Sequence, residues 1–168
     1  PVPLSAQVPA AAAVDPYVSV HKVASSDLNY EELLVELNRM GKPVFLSTGA
    51  ATETEIKMAC SLLHSVPVVI MYCVASYPAR AVDLTIMDKL RLYSQYVGFS
   101  DHTLDAVYLP YAAHKFHKAA VIEKHFNAGR GLTPDSGHSL NPADFTLMVD
   151  RIRGRREGHI GATPEEQD

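Results

Sequence analysis

The sequence predicts an α/β fold built on a parallel sheet, and two observations carry that expectation. Strand-like and helix-like segments alternate five times along the chain, the order of parallel strands joined by crossover helices. Polar residues collect just after each strand-like run, the edge where parallel α/β folds place their active sites.

Taken in order, residues 1–16 open with an uncharged run rich in Pro and Ala over 1–13, which reads as an irregular lead-in or linker. A domain follows over 17–156, and 157–168 form a polar tail. Residues 17–25 (YVSVHKVAS) are β-branched and aromatic and end in a polar cluster. Residues 29–40 place Leu33, Leu34 and Leu37 on one helical face, with Asn29 and Glu32 spaced as an N-cap signal. Residues 43–47 (PVFLS) form a short buried strand. Thr52 and Glu55 make a capping box that opens a helix to His64, with Ile56, Ala59, Cys60 and Leu63 inward.

Residues 67–73 (PVVIMYC) are the most strand-like run, and 83–94 repeat the helical period through Leu84, Met87 and Leu90. A strand over 96–99 and a helix over 103–116 follow. Pro110 is expected to kink that helix by removing a hydrogen bond. Residues 120–126 (AVIEKHF) read as the fifth strand, and Asn141 with Pro142 starts the last helix.

The chain has 168 residues, 47% hydrophobic and 20% charged, with a net charge of −4. A chain of this length can bury one sizeable core. The acidic balance argues against nucleic-acid binding, which needs a basic footprint. Arg151, Arg153, Arg155 and Arg156 precede Glu157, Glu165, Glu166 and Asp168, the pattern of a solvated helix end and tail. Cys60 and Cys73 match neither a zinc ribbon nor a redox pair and read as buried thiols. No apolar stretch approaches a membrane span. No basic segment precedes the first apolar residues, so a cytoplasmic location is expected.

The polar clusters are Lys22, Ser25, Ser26 and Asp27; Ser47, Thr48 and Gly49; Ser76, Tyr77 and Pro78; Ser100, Asp101, His102 and Thr103; and Glu123, Lys124 and His125. Any one of them could simply cap the following helix. Five at equivalent edges weaken that explanation. Ser47, Thr48 and Gly49 precede a helix N-terminus, where free amides and the helix dipole favour an anion. With Ser25, Ser100 and the charge of Lys22, they suggest a phosphate or carboxylate cradle. No dinucleotide fingerprint or Walker loop is present. His102 and His125 end adjacent strands, where two imidazoles can share one divalent ion and leave open positions for substrate. His114 and His117 are expected on a helix surface. His21, His64, His138 and His159 show no usable pattern.

At these clusters the chain resembles the sialic acid synthase family. The matching segments are HKVASSD at 21–27, GKPVFLSTGAATETEI at 41–56, YCVASYPAR at 72–80, VGFSDHTL at 97–104, VIEKHF at 121–126 and PDSGHSLNPADF at 134–145. Their order and spacing match, so the resemblance covers about 17–155. It implies a partial (β/α)8 TIM barrel, strands 4–8 with their helices. It also implies condensation of phosphoenolpyruvate with an N-acylated hexose such as N-acetylmannosamine, giving a nonulosonic acid and phosphate.

By that resemblance, Lys22, Ser25, Ser47 and Ser100 hold the phosphate and carboxylate of phosphoenolpyruvate. His102 and His125 ligate manganese or magnesium, Tyr77 lines the sugar pocket, and Asp135 stands beside metal and substrate. Lys22, Asp135 and Tyr77 are the implied catalytic residues. The implied chemistry is attack of the phosphoenolpyruvate C3 on a metal-polarised aldehyde, addition of water at C2 and loss of phosphate.

Several positions depart from the family. Ser26 replaces a glycine, and Ser136 replaces the histidine after Asp135. Val74, Ala75 and Ser76 replace polar residues on the sugar side, and Pro110 interrupts a helix. Strands 1–3 and the C-terminal antifreeze-like domain have no counterpart. A full barrel takes about 250 residues, so the sheet is expected to expose two edges and to be completed by a homo-oligomer or a partner chain. The alternative expectation is an inactive half-barrel serving binding or assembly. A different metal-dependent lyase or aldolase is a third reading.

Overall fold

Short runs of β-branched and aromatic residues form five strands: β1 (His21–Val23), β2 (Val44–Ser47), β3 (Val68–Tyr72), β4 (Tyr96–Asp101) and β5 (Ile122–Lys124). They appear in a computed structural model that describes residues 4–105, 107–129 and 135–154. The helices are α1 (Leu4–Val14), α2 (Glu31–Met40), α3 (Glu53–Leu62), α4 (Ile86–Leu90), α5 (Tyr108–Lys115) and α6 (Pro142–Ile152). All strand pairs are parallel, in the order β1-β2-β3-β4-β5. Because each right-handed crossover advances one strand in the same direction, the helices fall on one face and the sheet curls about the other. The result is a half-barrel, as the sequence predicts.

Side chains alternate across the sheet. Val23, Val44, Leu46, Ile70, Tyr72, Val97 and Phe99 face the helices and meet Leu34, Leu37, Ile56, Leu63 and Met87 in one core. Each fully buried side chain of this size contributes about 1.5–3 kcal/mol of transfer free energy. The alternate positions, including Lys22, Ser47, Met71, Gly98 and Ser100, line the concave face. Register sets Ser47 beside Met71 and Met71 beside Gly98.

The first segment differs from expectation. The lead-in over 1–16 contains helix α1, even though Pro9 lies inside it. Its alanine run has the highest helix propensity available. Val8 and Ala11 pack on the core, and Gln7 Nε2 donates to Asp27 Oδ1 at 3.1 Å. The tail over 157–168, with Arg155 and Arg156 before it, lies outside the described residues.

Two caps are placed differently from each other. Asn29 does not cap α2; its Nδ2 donates instead to Glu55 Oε1 at 2.8 Å. The capping box of Thr52 and Glu55 forms, and Asn141 caps α6 with Pro142 in the first turn. Only Ile86–Leu90 of segment 83–94 is helical, because Asp83 Oδ1 ties the Thr85 amide and hydroxyl into a turn. Pro110 sits in the first turn of α5. Its missing N–H would have had no intrahelical acceptor there, so it does not break the helix.

Candidate functional site

The concave face gathers the polar residues at the C-terminal edge. Lys22 Nζ donates to Ser47 Oγ at 2.7 Å and to the Val23 carbonyl at 3.2 Å. It also lies 3.7 Å from Glu123 Oε2 on β5. Ser47 and Ser100 are buried. Ser25, in the turn after β1, packs its Oγ 3.3 Å from Cys73 Sγ. Gly49 makes this possible: its φ is +43°, and a Cβ there would sit 2.5 Å from that of Ser25.

The expected cradle of free amides is not what this turn offers. Thr48 N–H bonds the Met71 carbonyl, Gly49 N–H bonds Cys73 Sγ, and the Thr52 and Glu55 amides belong to the capping box. The groups left on this face that can meet an anion are the Lys22 ammonium and the serine hydroxyls.

His102 follows β4 and is firmly oriented. Its Nδ1 lies 2.8 Å from the Val74 carbonyl, an acceptor only, so Nδ1 carries the proton and Nε2 the lone pair. Ser100 Oγ stands 3.3 Å from that Nε2. The His102 and His125 rings are 5.6 Å apart.

A tighter group forms on the other side of His125. Leu140 N–H donates to the His125 carbonyl at 2.8 Å, Asn127 N–H to the Leu140 carbonyl at 2.9 Å, and Asn127 Nδ2 to Ser136 Oγ at 2.9 Å. This pins segment 135–141 alongside the end of β5. Asp135 Oδ2 then lies 4.0 Å from His125 Nδ1, and Asp135 Oδ1 lies 3.8 Å from His138 Nε2. Ligand atoms of His125, Asp135 and His138 all fall within 4.8 Å of one another, whereas His102 lies outside this group.

His138 Nε2 is buried without a hydrogen-bond partner. Burial first, then the nearby His125 charge, holds the His138 imidazole below its ordinary pKa against the pull of Asp135. Two imidazoles, one with an orphaned buried nitrogen, and a carboxylate fit a divalent metal ion. In the sequence His138 carries no signal beyond its three-residue spacing from Asp135.

Tyr77 leans over these rings, 4.3 Å from His102 and 5.3 Å from His138 between centroids. Partial burial, then the charges of Cys73, Asp135 and Glu123, raise its hydroxyl pKa, which keeps it neutral and able to donate. Ser25, Ser26, Ala75 and Tyr77 help line a cavity of about 460 Å³, large enough for a small molecule. A second cavity of about 780 Å³ lies between α1 and β1, mostly apolar apart from Gln7, His21, Lys22, Ser26 and Asp27 at its wall. Asp101 and Lys124, grouped by sequence with the site, point to the helix side and form a fully buried pair at 2.8 Å. His114 and His117 stay outside the site, with His114 bonding the Ala119 carbonyl and His117 facing Asp88.

Comparison with known proteins places the chain and its fold among relatives. The model of the NeuB family matches residues 6–161. Over 141 residues the chain is 33% identical to a pseudaminic acid synthase of Helicobacter pylori, covering 80% of this chain and 41% of that protein. The crystal structure of spore coat polysaccharide biosynthesis protein SpsE from Bacillus subtilis superposes with a TM-score of 0.79 at 30% identity, covering 88% of this chain and 43% of that one. An N-acetylneuraminic acid synthetase from Leptospira borgpetersenii, crystallised with citrate, gives 0.75 at 28% identity, covering 89% and 55%. The chain spans about two fifths of the length of the curated relatives it matches. With the family model matched over nearly its whole length, the chain belongs to the NeuB family of sialic acid synthase-like proteins and carries part of their barrel.

Proposed function

We propose that this chain provides the phosphoenolpyruvate- and metal-binding part of a nonulosonate synthase, one that joins phosphoenolpyruvate to an open-chain N-acylated hexose such as N-acetylmannosamine. The observation that carries the reading is the Lys22–Ser47 pair, bonded at 2.7 Å on the same concave face as His102 and His125. Lys22, Ser25, Ser47 and Ser100 bind the phosphate and carboxylate, and Tyr77 presents a neutral hydroxyl to the sugar. Asp135 orients the reacting groups beside His125. A divalent ion, manganese or magnesium, bound around His125 with His102 beside it, supplies Lewis acidity at the sugar carbonyl oxygen. In the balanced reaction, a bond forms between C3 of phosphoenolpyruvate and the aldehyde carbon, water adds at C2, and inorganic phosphate leaves. Lys22 stabilises the charge on the departing phosphate.

The proposal also places the chain in the cytoplasm; no helix among the described residues is long and apolar enough to cross a membrane. The described sheet ends at β1 and β5, so the remaining strands of a barrel come from outside this segment, from the same polypeptide, a second copy or a partner chain; sizing by light scattering tests the second-copy case. The chemical test is phosphate release from phosphoenolpyruvate with manganese and N-acetylmannosamine, comparing the parent with Lys22→Met. Release that depends on metal and sugar and disappears in the variant is expected. No release from a folded parent across a panel of N-acylated hexoses would instead favour a half-barrel that binds or assembles without turnover.

A further inference from the structure

We propose that the Cys73 thiol is a positioning residue for the anion site, acting through Ser25: its hydrogen bond sets the direction of the Ser25 hydroxyl, so that this hydroxyl donates to phosphoenolpyruvate. The inference rests on the phosphoenolpyruvate reading above and adds a residue that touches no ligand itself.

The turns after three neighbouring strands meet at one sulfur. Cys73 follows β3 and is 2% exposed. Its Sγ accepts the N–H of Gly49, in the turn after β2, at 3.2 Å. It also stands 3.3 Å from the Oγ of Ser25, in the turn after β1. Gly49 leaves this contact open, since a Cβ there would sit 2.7 Å from Ser25 Oγ.

The direction of these bonds follows from what each group can do. An amide N–H only donates, so Gly49 takes a lone pair of the sulfur. The thiol hydrogen then needs an acceptor in a buried place, and Ser25 Oγ is the oxygen it meets. Sulfur is the weaker acceptor of the two, which favours the same direction. The order is therefore Gly49 N–H to Cys73 Sγ, and Cys73 S–H to Ser25 Oγ. Ser25 keeps its own proton for a third group, and among the described residues its hydroxyl meets no second partner. It is half-buried, at the strand edge that carries the Lys22 ammonium and Ser47. An ionised carboxylate or phosphate offers only acceptors there. A serine whose proton is free binds such a group, and one whose proton is spent on sulfur does not. Bonds in series also reinforce one another, so donation to the anion makes Ser25 Oγ a stronger acceptor for the thiol.

The test is calorimetric titration of the 168-residue chain with phosphoenolpyruvate. It uses parent, Cys73→Ala, Cys73→Ser, Ser25→Ala and the double variant of Cys73→Ala with Ser25→Ala, each checked for folding by circular dichroism. Cys73→Ala is expected to weaken binding about fivefold, the worth of one neutral hydrogen bond. Cys73→Ser keeps a donor and an acceptor in place and should recover most of that loss. Because the thiol acts through Ser25, the double variant should bind as Ser25→Ala does. Losses that multiply in the double variant, or full affinity in Cys73→Ala, overturn the role of Cys73. Binding by the parent that disappears in Lys22→Met would still leave the phosphoenolpyruvate reading standing. A parent that binds no phosphoenolpyruvate overturns both. Should Cys73→Ala not fold, the S–H stretching band decides, read by infrared spectroscopy in Cys60→Ala so that Cys73 is the one thiol present. A shift to lower frequency on adding phosphoenolpyruvate supports the relay, and an unmoved band rejects it.

Discussion

Lys22 on β1 and Glu123 on β5 meet at 3.7 Å across the concave face, although three strands lie between them. In a flat sheet these strands would be about 19 Å apart, so the curl of the half-barrel brings the two charges together. Glu123 Oε2 is shielded from solvent without a hydrogen bond, facing the ammonium that we assign to the phosphoenolpyruvate anion. A carboxylate there competes with the ligand for Lys22. Glu123→Gln is therefore expected to tighten phosphoenolpyruvate binding several-fold and Lys22→Met to weaken it at least tenfold, as read by calorimetry. Both side chains are partly exposed, so the effect of Glu123→Gln should shrink as salt is added. Equal affinities in parent and Glu123→Gln would remove this competition.

Gly49 packs closely against Ser25. Its positive φ and the 2.5 Å approach of an added Cβ to Ser25 Cβ make Gly49→Ala both strained and overpacked, at a cost of about 1–3 kcal/mol. Removing the opposing Cβ in Gly49→Ala with Ser25→Gly should recover the steric part but not the backbone part. Urea unfolding of the two variants separates them. A double variant no more stable than Gly49→Ala would show that the clash with Ser25 does not set the cost.

What the sequence disclosed about this site follows from which relations are local. The period of two along a strand places Lys22, Ser47 and Ser100 on one face, and the apolar runs locate the five strands. That Lys124 and Asp101 take the opposite face follows from the same alternation, yet their charges suggested the site. The amides of Thr48 and Gly49 looked free because their acceptors, on Met71 and Cys73, come from the neighbouring strand. His138 was illegible because its value depends on the bridge from Leu140 to His125, a contact that no local pattern encodes. The run over 1–13 combines strong helix formers with Pro9, and packing of Val8 and Ala11 on the core decides the contest.

Asp15 predicts an acid-sensitive latch at the opposite end of the strands. Its carboxylate meets His21 Nε2 at 2.8 Å and Lys42 Nζ at 3.1 Å, and Lys42 also bonds its carbonyl. The bonds to His21 and then Lys42 hold its pKa below the ordinary 3.8. Below that ordinary value the unfolded chain binds a proton that the folded chain still refuses. The stabilisation is therefore complete above about pH 4 and is lost as pH falls through the depressed folded value. Asp15→Asn should be less stable than the parent near neutrality and lose stability less steeply in acid. Parallel acid limbs for the two proteins in denaturant unfolding would assign the acid response to other carboxylates.

The buried pair Lys124 and Asp101 is expected to govern stability more than any other polar contact described here. Lys124 Nζ donates to Asp101 Oδ2 at 2.8 Å, the Thr103 carbonyl at 2.6 Å and the Asp105 carbonyl at 3.0 Å, so all three ammonium donors are used. Asp101 Oδ1 accepts the Thr103 amide at 2.9 Å. Both charged side chains are 0% exposed, and His102 lies between the two clamped residues. Lys124→Met leaves an isolated buried carboxylate and should cost about 3–5 kcal/mol. Adding Asp101→Leu removes that charge, so the double variant should be more stable than Lys124→Met alone, although the Thr103 amide and two carbonyls then lose their partners. If urea unfolding finds the double variant less stable than the single, the isolated charge is not the main cost. The clamp would then act chiefly through the loop backbone that it ties down, and His102 would be the residue most disturbed by its loss.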